Sequence, residues 1–167
     1  MYERVLVGTD GSATATRAVE AAAVVARAHD AELIVAHAFA ARPTLRQEQA
    51  WHDAPEEVRW RLSLGAVAEA TVGDAVERAR VRAGTELVVR ARCEPGRPVT
   101  VLLRLADELN PDALVVGNRD LHGWLHTRRS VARGVSRKAA CDVIIIDTVG
   151  RRRKRRAAAT TSALGWT

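Results

Sequence analysis

The sequence predicts an α/β protein built on a five-stranded parallel sheet covered on both faces. Three observations lead there. Five short apolar runs recur along the chain, helical stretches lie between them, and most of the runs are apolar without a break. Unbroken runs fit strands buried on both faces, and strand–helix alternation fits parallel crossovers. Both sheet faces then need helices, and ligands bind beyond the carboxyl ends of the strands, where strand order reverses.

The elements follow in order. Val5-Leu6-Val7-Gly8-Thr9 reads as the first strand. Asp10-Gly11-Ser12 supplies turn and cap residues, and Ala18, Val19, Ala22, Val25 and Ala26 give a helical stripe ending near His29. Leu33 to Ala38 reads as the second strand. Residues 40–54 carry Arg42-Pro43 and no period, which reads as a loop. A helix is expected from Pro55 to about Arg82, weakened at Gly65 and Gly73 and ended by Gly84. Its opening Glu56-Glu57 pair suits the helix dipole, and Trp51 and Trp60 read as packing residues. Leu87 to Cys93 alternates as an edge strand does. Val99, Leu102, Leu103, Ala106 and Leu109 form a stripe stopped by Asn110-Pro111. Ala113 to Gly117 is a buried strand, residues 118–128 a polar loop, and Ser130 opens a helix carrying Val131, Val135 and Ala139. Cys141 to Ile146 is the last strand.

The chain of 167 residues carries 26 Lys+Arg against 20 Asp+Glu, a net charge of +6. The whole excess sits in the unbroken basic run Arg151–Arg156, and the rest of the chain balances. The pI of about 10.5 therefore reflects a tail and not a basic folded surface. Residues 1–148 are expected to form one domain, and 149–167 a disordered basic tail making weak polyanion contacts. No apolar run reaches the roughly 20 residues of a membrane span. The N-terminus has no signal-peptide pattern, and the two cysteines, Cys93 and Cys141, make neither a disulfide framework nor a zinc site. A cytoplasmic protein is the expectation, with both cysteines as small buried apolar residues.

Two loops lead from strands into helices and are the natural ligand positions, Thr9-Asp10-Gly11-Ser12 and Gly117 to Ser130. Their residues, with others, resemble a known family. Val5-Leu6-Val7-Gly8-Thr9-Asp10-Gly11-Ser12 is similar to the opening strand and Asp-Gly-Ser turn of universal stress proteins. Gly96-Arg97-Pro98, then Asp112 to Arg119, then Ser130-Val131 with Cys141-Asp142-Val143, match further family motifs in order and at family spacing over residues 3–147. The resemblance implies a doubly wound, Rossmann-like sheet of order 3-2-1-4-5, of the adenine nucleotide alpha hydrolase-like type. It also implies a stress-response regulator and frequent homodimers. The apolar last strand, at the sheet edge in that order, is the expected dimer contact.

Some members of the family bind ATP, through Gly-x-x-Gly, nine residues, then Gly-Ser or Gly-Thr. Carried over, Asp10 would face the ribose, the Ala38 backbone the adenine, and Gly117, Ser130 and Val131 the phosphates. This chain departs from the pattern. Asp120 stands at the second glycine, Arg129 at the glycine before Ser130, and eight residues separate them. Asp120 sets a carboxylate near phosphate, and Arg129 adds bulk where backbone must come close. Arg119, Arg128, Arg129, His122 and His126 leave the loop cationic, so side chains would have to replace amides. Weak or absent ATP binding is expected, with a nucleotide-responsive switch as the alternative. His122 and His126 read as a solvated loop and not as metal ligands. No Gly-x-Ser-x-Gly elbow and no P-loop occurs, so no enzymatic activity is expected.

Overall fold

Val5, Leu6 and Val7 point in turn to two separate cores, which is why the middle of β1 (Arg4–Thr9) is apolar without a break. The same division runs along β2 (Glu32–Phe39), where Leu33 and Val35 enter one core and Ile34 and Ala36 the other. It recurs in β4 (Ala113–Gly117), with Val115 on one side and Leu114 and Val116 on the other. β3 (Val89–Pro95) and β5 (Asp142–Ile146) complete a parallel sheet of order β3-β2-β1-β4-β5. That is the expected order. The computed structural model describes residues 1–118 and 130–148. The expectations for the 119–129 loop and the 149–167 tail lie outside the described residues.

One face of the sheet is covered by α1 (Ala13–His29) and α4 (Leu64–Ala83), packed largely through alanines such as Ala22, Ala26, Ala75 and Ala79. The other carries α5 (Pro98–Leu109) and α6 (Val131–Ser136), with Leu102, Leu105 and Val135 inward. β3 lies at the sheet edge as read, with Val89 and Cys93 against the first core, but it starts at Val89 and not Leu87, and the expected alternation is broken because Arg90, Ala91 and Arg92 are all exposed. The caps explain the boundaries. The Ser12 hydroxyl accepts from Ala15 N at 3.2 Å to start α1, Gly84 at φ 96° ends α4, and left-handed Asn110 ends α5.

Three readings are corrected. Residues 40–54 are not all loop, because α2 spans Leu45–Asp53. It starts at a capping box, in which Thr44 Oγ1 accepts from Gln47 N at 3.3 Å and Gln47 Oε1 accepts from Thr44 N at 2.8 Å. The helix expected from Pro55 is divided into α3 (Glu56–Arg59), a 3-10 turn (Trp60–Leu62) and α4. The break falls at Ser63, whose hydroxyl caps α4 by accepting from Ala66 N at 3.2 Å, and not at Gly65 or Gly73. Trp51 and Trp60 are outside the two cores. Arg59 lies over the Trp51 ring at 5.3 Å, and Arg61 over Trp60 at 5.2 Å. α6 is also shorter than read, with Ala139 beyond its end.

The start of the sheet is tied by one carboxylate. Asp112 Oδ2 accepts from Glu3 N at 2.7 Å and Arg4 N at 2.9 Å, which joins the entry of β4 to that of β1. Those two backbone donors, Arg4 first, hold the Asp112 carboxyl below its ordinary range. A lowered value means the contribution to stability is complete above the unfolded carboxyl pKa of about 3.9 and fades as pH falls below it. Asp112→Ala should therefore lower Tm at pH 7, and the two melting curves should converge in acid. Melting temperatures measured from pH 7 to pH 3 check this. A gap that persists unchanged in acid would count against the assignment.

Candidate functional site

Because β1 leads outward through β2 and β3 while β4 and β5 build on its other side, strand order reverses between β1 and β4. A cavity of about 140 Å³ lies at that point. Gly8 and Thr9 of β1, Ala36 and Ala38 of β2, Val116 and Gly117 of β4, Leu102 of α5 and Val131 of α6 wall it. It is smaller than the roughly 300–1,000 Å³ of a whole-ligand pocket. It is close to the roughly 150 Å³ of an engineered apolar cavity that holds benzene. The described walls thus suit one flat ring, with the rest of a ligand outside.

Local chemistry shapes the walls. Gly8 has no side chain because α5 passes directly over it, and a Cβ there would stand 2.9 Å from Leu102 Cδ1. The end of β1 is fixed by His37, whose Nδ1 lies 2.8 Å from the Thr9 carbonyl. A carbonyl only accepts, so Nδ1 carries the proton. At the rim, Asp10 Oδ1 accepts from Ser12 N at 3.0 Å, closing the turn before α1. The helix cap is thus Ser12, while Asp10 shapes the turn.

The far wall is bound to the end of the described chain. A Cβ at Gly117 would lie 3.1 Å from Thr148 Oγ1, and Thr148 is fully buried. Asn118 Oδ1 accepts from Thr148 N at 2.8 Å, Asn118 Nδ2 donates to Asp147 Oδ1 at 2.8 Å, and Arg17 Nη1 donates to the Thr148 carbonyl at 2.7 Å. β4, β5 and α1 are locked together there, beside the cavity.

Of the residues expected at the site, Asp10, Ala38, Gly117 and Val131 meet around this cavity. Ser130 is buried as the cap of α6, accepting from Arg133 N at 3.4 Å. It lines a neighbouring groove of about 940 Å³ between α5 and α6. Arg119 lies outside the described residues. Sequence reading did not assign Gly8, His37 or Leu102 to the site. The spacing of a strand glycine from a helix leucine is invisible until the two elements pack.

The groove also carries Arg97, Arg133, Arg137 and Lys138, with no acid among the described residues that line it. The chain's balanced charge is therefore not evenly spread. Among the described residues no group of three metal-ligating side chains occurs, and no helix is long and apolar enough to cross a membrane. Cys93 and Cys141 are free and half-buried, and burial pushes both thiols up.

Known proteins share this architecture. The universal stress protein Rv1636 of Mycobacterium tuberculosis strain H37Rv is 38% identical over 148 residues, covering 88% of this chain and 97% of that protein. Its crystal structure matches with a TM-score of 0.55 at 37% identity, over 87% of this chain and 95% of that one. A crystal structure of a universal stress protein in complex with cAMP matches with a TM-score of 0.70 at 33% identity, over 88% and 98%. An Arabidopsis thaliana family protein with AMP bound, at 22% identity and a TM-score of 0.63, shares the fold. The universal stress protein family as a whole matches residues 1–147. With the sheet order, the Asp-Gly-Ser turn and the Gly117 loop all in that span, the chain belongs to the universal stress protein family.

Proposed function

We propose that the chain is a non-catalytic stress-response regulator whose cavity takes the base of an adenine nucleotide and whose phosphate loop holds a triphosphate poorly. The observation that carries this is the ring-sized cavity at the β1/β4 switch point, walled by Gly8, Ala38, Leu102 and Gly117. The cAMP complex of a 33% identical relative supports the ligand class. The base would lie between the Ala38 wall and Leu102, with Asp10 at the rim on the ribose side. No residue of this chain needs to transfer a proton or break a bond in this reading.

The weak point is sequence at the phosphates. Asp120 and Arg129 stand where ATP-binding members have glycine, so a carboxylate repels and a bulky side chain blocks amide approach. ATP should therefore bind no more tightly than cAMP or AMP. Calorimetry with the three ligands tests this, and the absence of any heat with all three would remove the nucleotide reading. Asp120→Gly combined with Arg129→Gly should raise ATP affinity by about tenfold, corresponding to about 1.4 kcal/mol. A double variant with unchanged ATP affinity would remove the loop as the cause.

A homodimer through β5 belongs to the same proposal. β5 pairs with β4 on one side, and no described strand pairs with its other edge. Ile145 on that strand is 42% exposed. An apolar open edge associates unless covered, and a two-fold copy is the simplest cover. Light scattering at roughly tens of micromolar should give twice the chain mass, and Ile145→Lys should give a monomer. A wild-type monomer at that concentration would overturn it.

A further inference from the structure

We propose that the groove between α5 and α6 is a docking site for a partner protein, taking one short segment that carries several carboxylates and an aliphatic side chain or two. The inference goes beyond the nucleotide reading and stands whether or not the neighbouring cavity holds a base.

The groove has an apolar floor and a basic rim. α5 and α6 meet at Gly134, where a Cβ would stand 2.8 Å from Val99 Cγ2. Gly134, Val99 and Val131 are half-buried along the floor. Arg97 on the α5 side and Arg133, Arg137 and Lys138 on the α6 side are exposed. None of these four side chains makes an ion pair or a hydrogen bond with a described residue. Elsewhere, Arg80 pairs with Glu77, Arg90 with Glu32, and Arg104 with Glu94 and Glu108.

Helix stability does not explain the four cations. Arg97 stands at the start of α5, where the helix dipole favours anions. Arg133 and Arg137 are four apart along α6 and its end, and like charges at that spacing destabilise a helix. An anionic partner offsets both costs.

Shape and chemistry choose the partner. The volume of about 940 Å³ lies near the top of the roughly 300–1,000 Å³ of a whole-ligand pocket, which suits a short segment. Three of the four cations are arginines, whose planar fork binds a carboxylate through two parallel hydrogen bonds. Phosphate would satisfy the same forks and leave Val99 and Val131 unused. A nucleic-acid strand gains from aromatic faces under its bases, and no described lining residue is aromatic. Aliphatic side chains on the floor with carboxylates at the rim use both parts of the groove. Arg137 and Lys138 also lie at the far end of α6 from Ser130, the expected phosphate position, about 10 Å along the helix.

Fluorescence anisotropy on the full chain tests this, with the labelled peptide Glu-Leu-Glu-Glu-Leu-Glu and the same peptide with serine in place of leucine. Arg133→Gln combined with Arg137→Gln is compared with Arg80→Gln combined with Arg104→Gln, which removes the same charge from paired sites. The first combination should weaken the leucine peptide by about tenfold or more, and the second should leave it within about twofold. The serine peptide should bind the wild type at least about fivefold more weakly, because it has nothing to bury on the floor. Equal losses from the two combinations, or a loss from neither, would place the binding outside the groove and overturn the inference. Equal affinity for the two peptides would overturn it as well, since the floor would then be unused. Inorganic tripolyphosphate or single-stranded oligo-dT that displaces the leucine peptide more effectively than the unlabelled peptide does would make the groove a phosphate site in its place. No binding of either peptide ends the proposal.

Discussion

Gly8→Val should remove nucleotide binding while leaving a folded protein. Position 8 is a wall of the cavity, and a Cβ there already meets Leu102 Cδ1 at 2.9 Å. Leu102 is 3% exposed and has neighbours on its other sides, so the space it would yield into is the cavity itself. The two added methyl groups then exclude the base. Losing the burial of a ring is worth about 2–3 kcal/mol, which is on the order of a hundredfold in affinity. The expected loss of stability is about 1–3 kcal/mol, as for overpacking elsewhere. Calorimetry with cAMP, with a thermal melt alongside, separates the two effects. Leu102→Ala in the same chain should restore part of the binding by reopening the space. Binding by Gly8→Val as tight as that of the wild type would place the base somewhere other than this cavity.

The parts of this structure that were readable in the sequence are those that bury something. β1, β2 and β4 were visible because each contributes to two cores, leaving Val5–Val7, Leu33–Ala36 and Ala113–Val116 without a polar residue. α1 and α5 were visible because one apolar stripe repeats at helical spacing and ends at a cap. α2 buries no residue at all, so no stripe exists to be read. Its one signal was local, Thr44 followed three residues later by Gln47, and Pro43 just before it drew the reading toward a loop. Glycine propensity points to a break at Gly65 or Gly73, yet both sit inside α4, and a serine hydroxyl makes the boundary.

The candidate site divides the same way. Asp10 and Gly117 lie in the two strand-to-helix loops that parallel topology gathers at one edge, whereas the roles of Ala38 and Val131 came with the family resemblance. The sheet order itself came with the family resemblance and not from periodicity. Gly8, Leu102 and the Asn118–Thr148 contact come from packing between segments far apart in the chain. Sequence spacing carries no record of them.

Leu114→Ala should be among the most destabilising single changes in the chain. Leu114 is the second residue of β4, flanked in the sheet by Leu6 on β1 and Val143 on β5. It is fully buried in the core under α5 and α6, together with Leu6 and Leu105. Both adjacent strands are held by backbone ladders, so the walls around the missing carbons have little freedom to collapse. A buried Leu→Ala change in such a place costs about 2–5 kcal/mol, the larger values going with cavities that stay open. For a chain of this size each kcal/mol moves Tm by about 2–4 °C, so a drop of roughly 5–20 °C is expected. Calorimetric melting of the variant beside Val24→Ala, a truncation on the outer side of α1 where Val24 is 41% exposed, supplies the comparison. Equal shifts for the two variants would mean that β4 does not form the centre of this core. A large shift for Leu114→Ala alone would also forecast weaker ligand binding, because Leu114 sits three residues from Gly117 on the strand whose end forms the cavity wall.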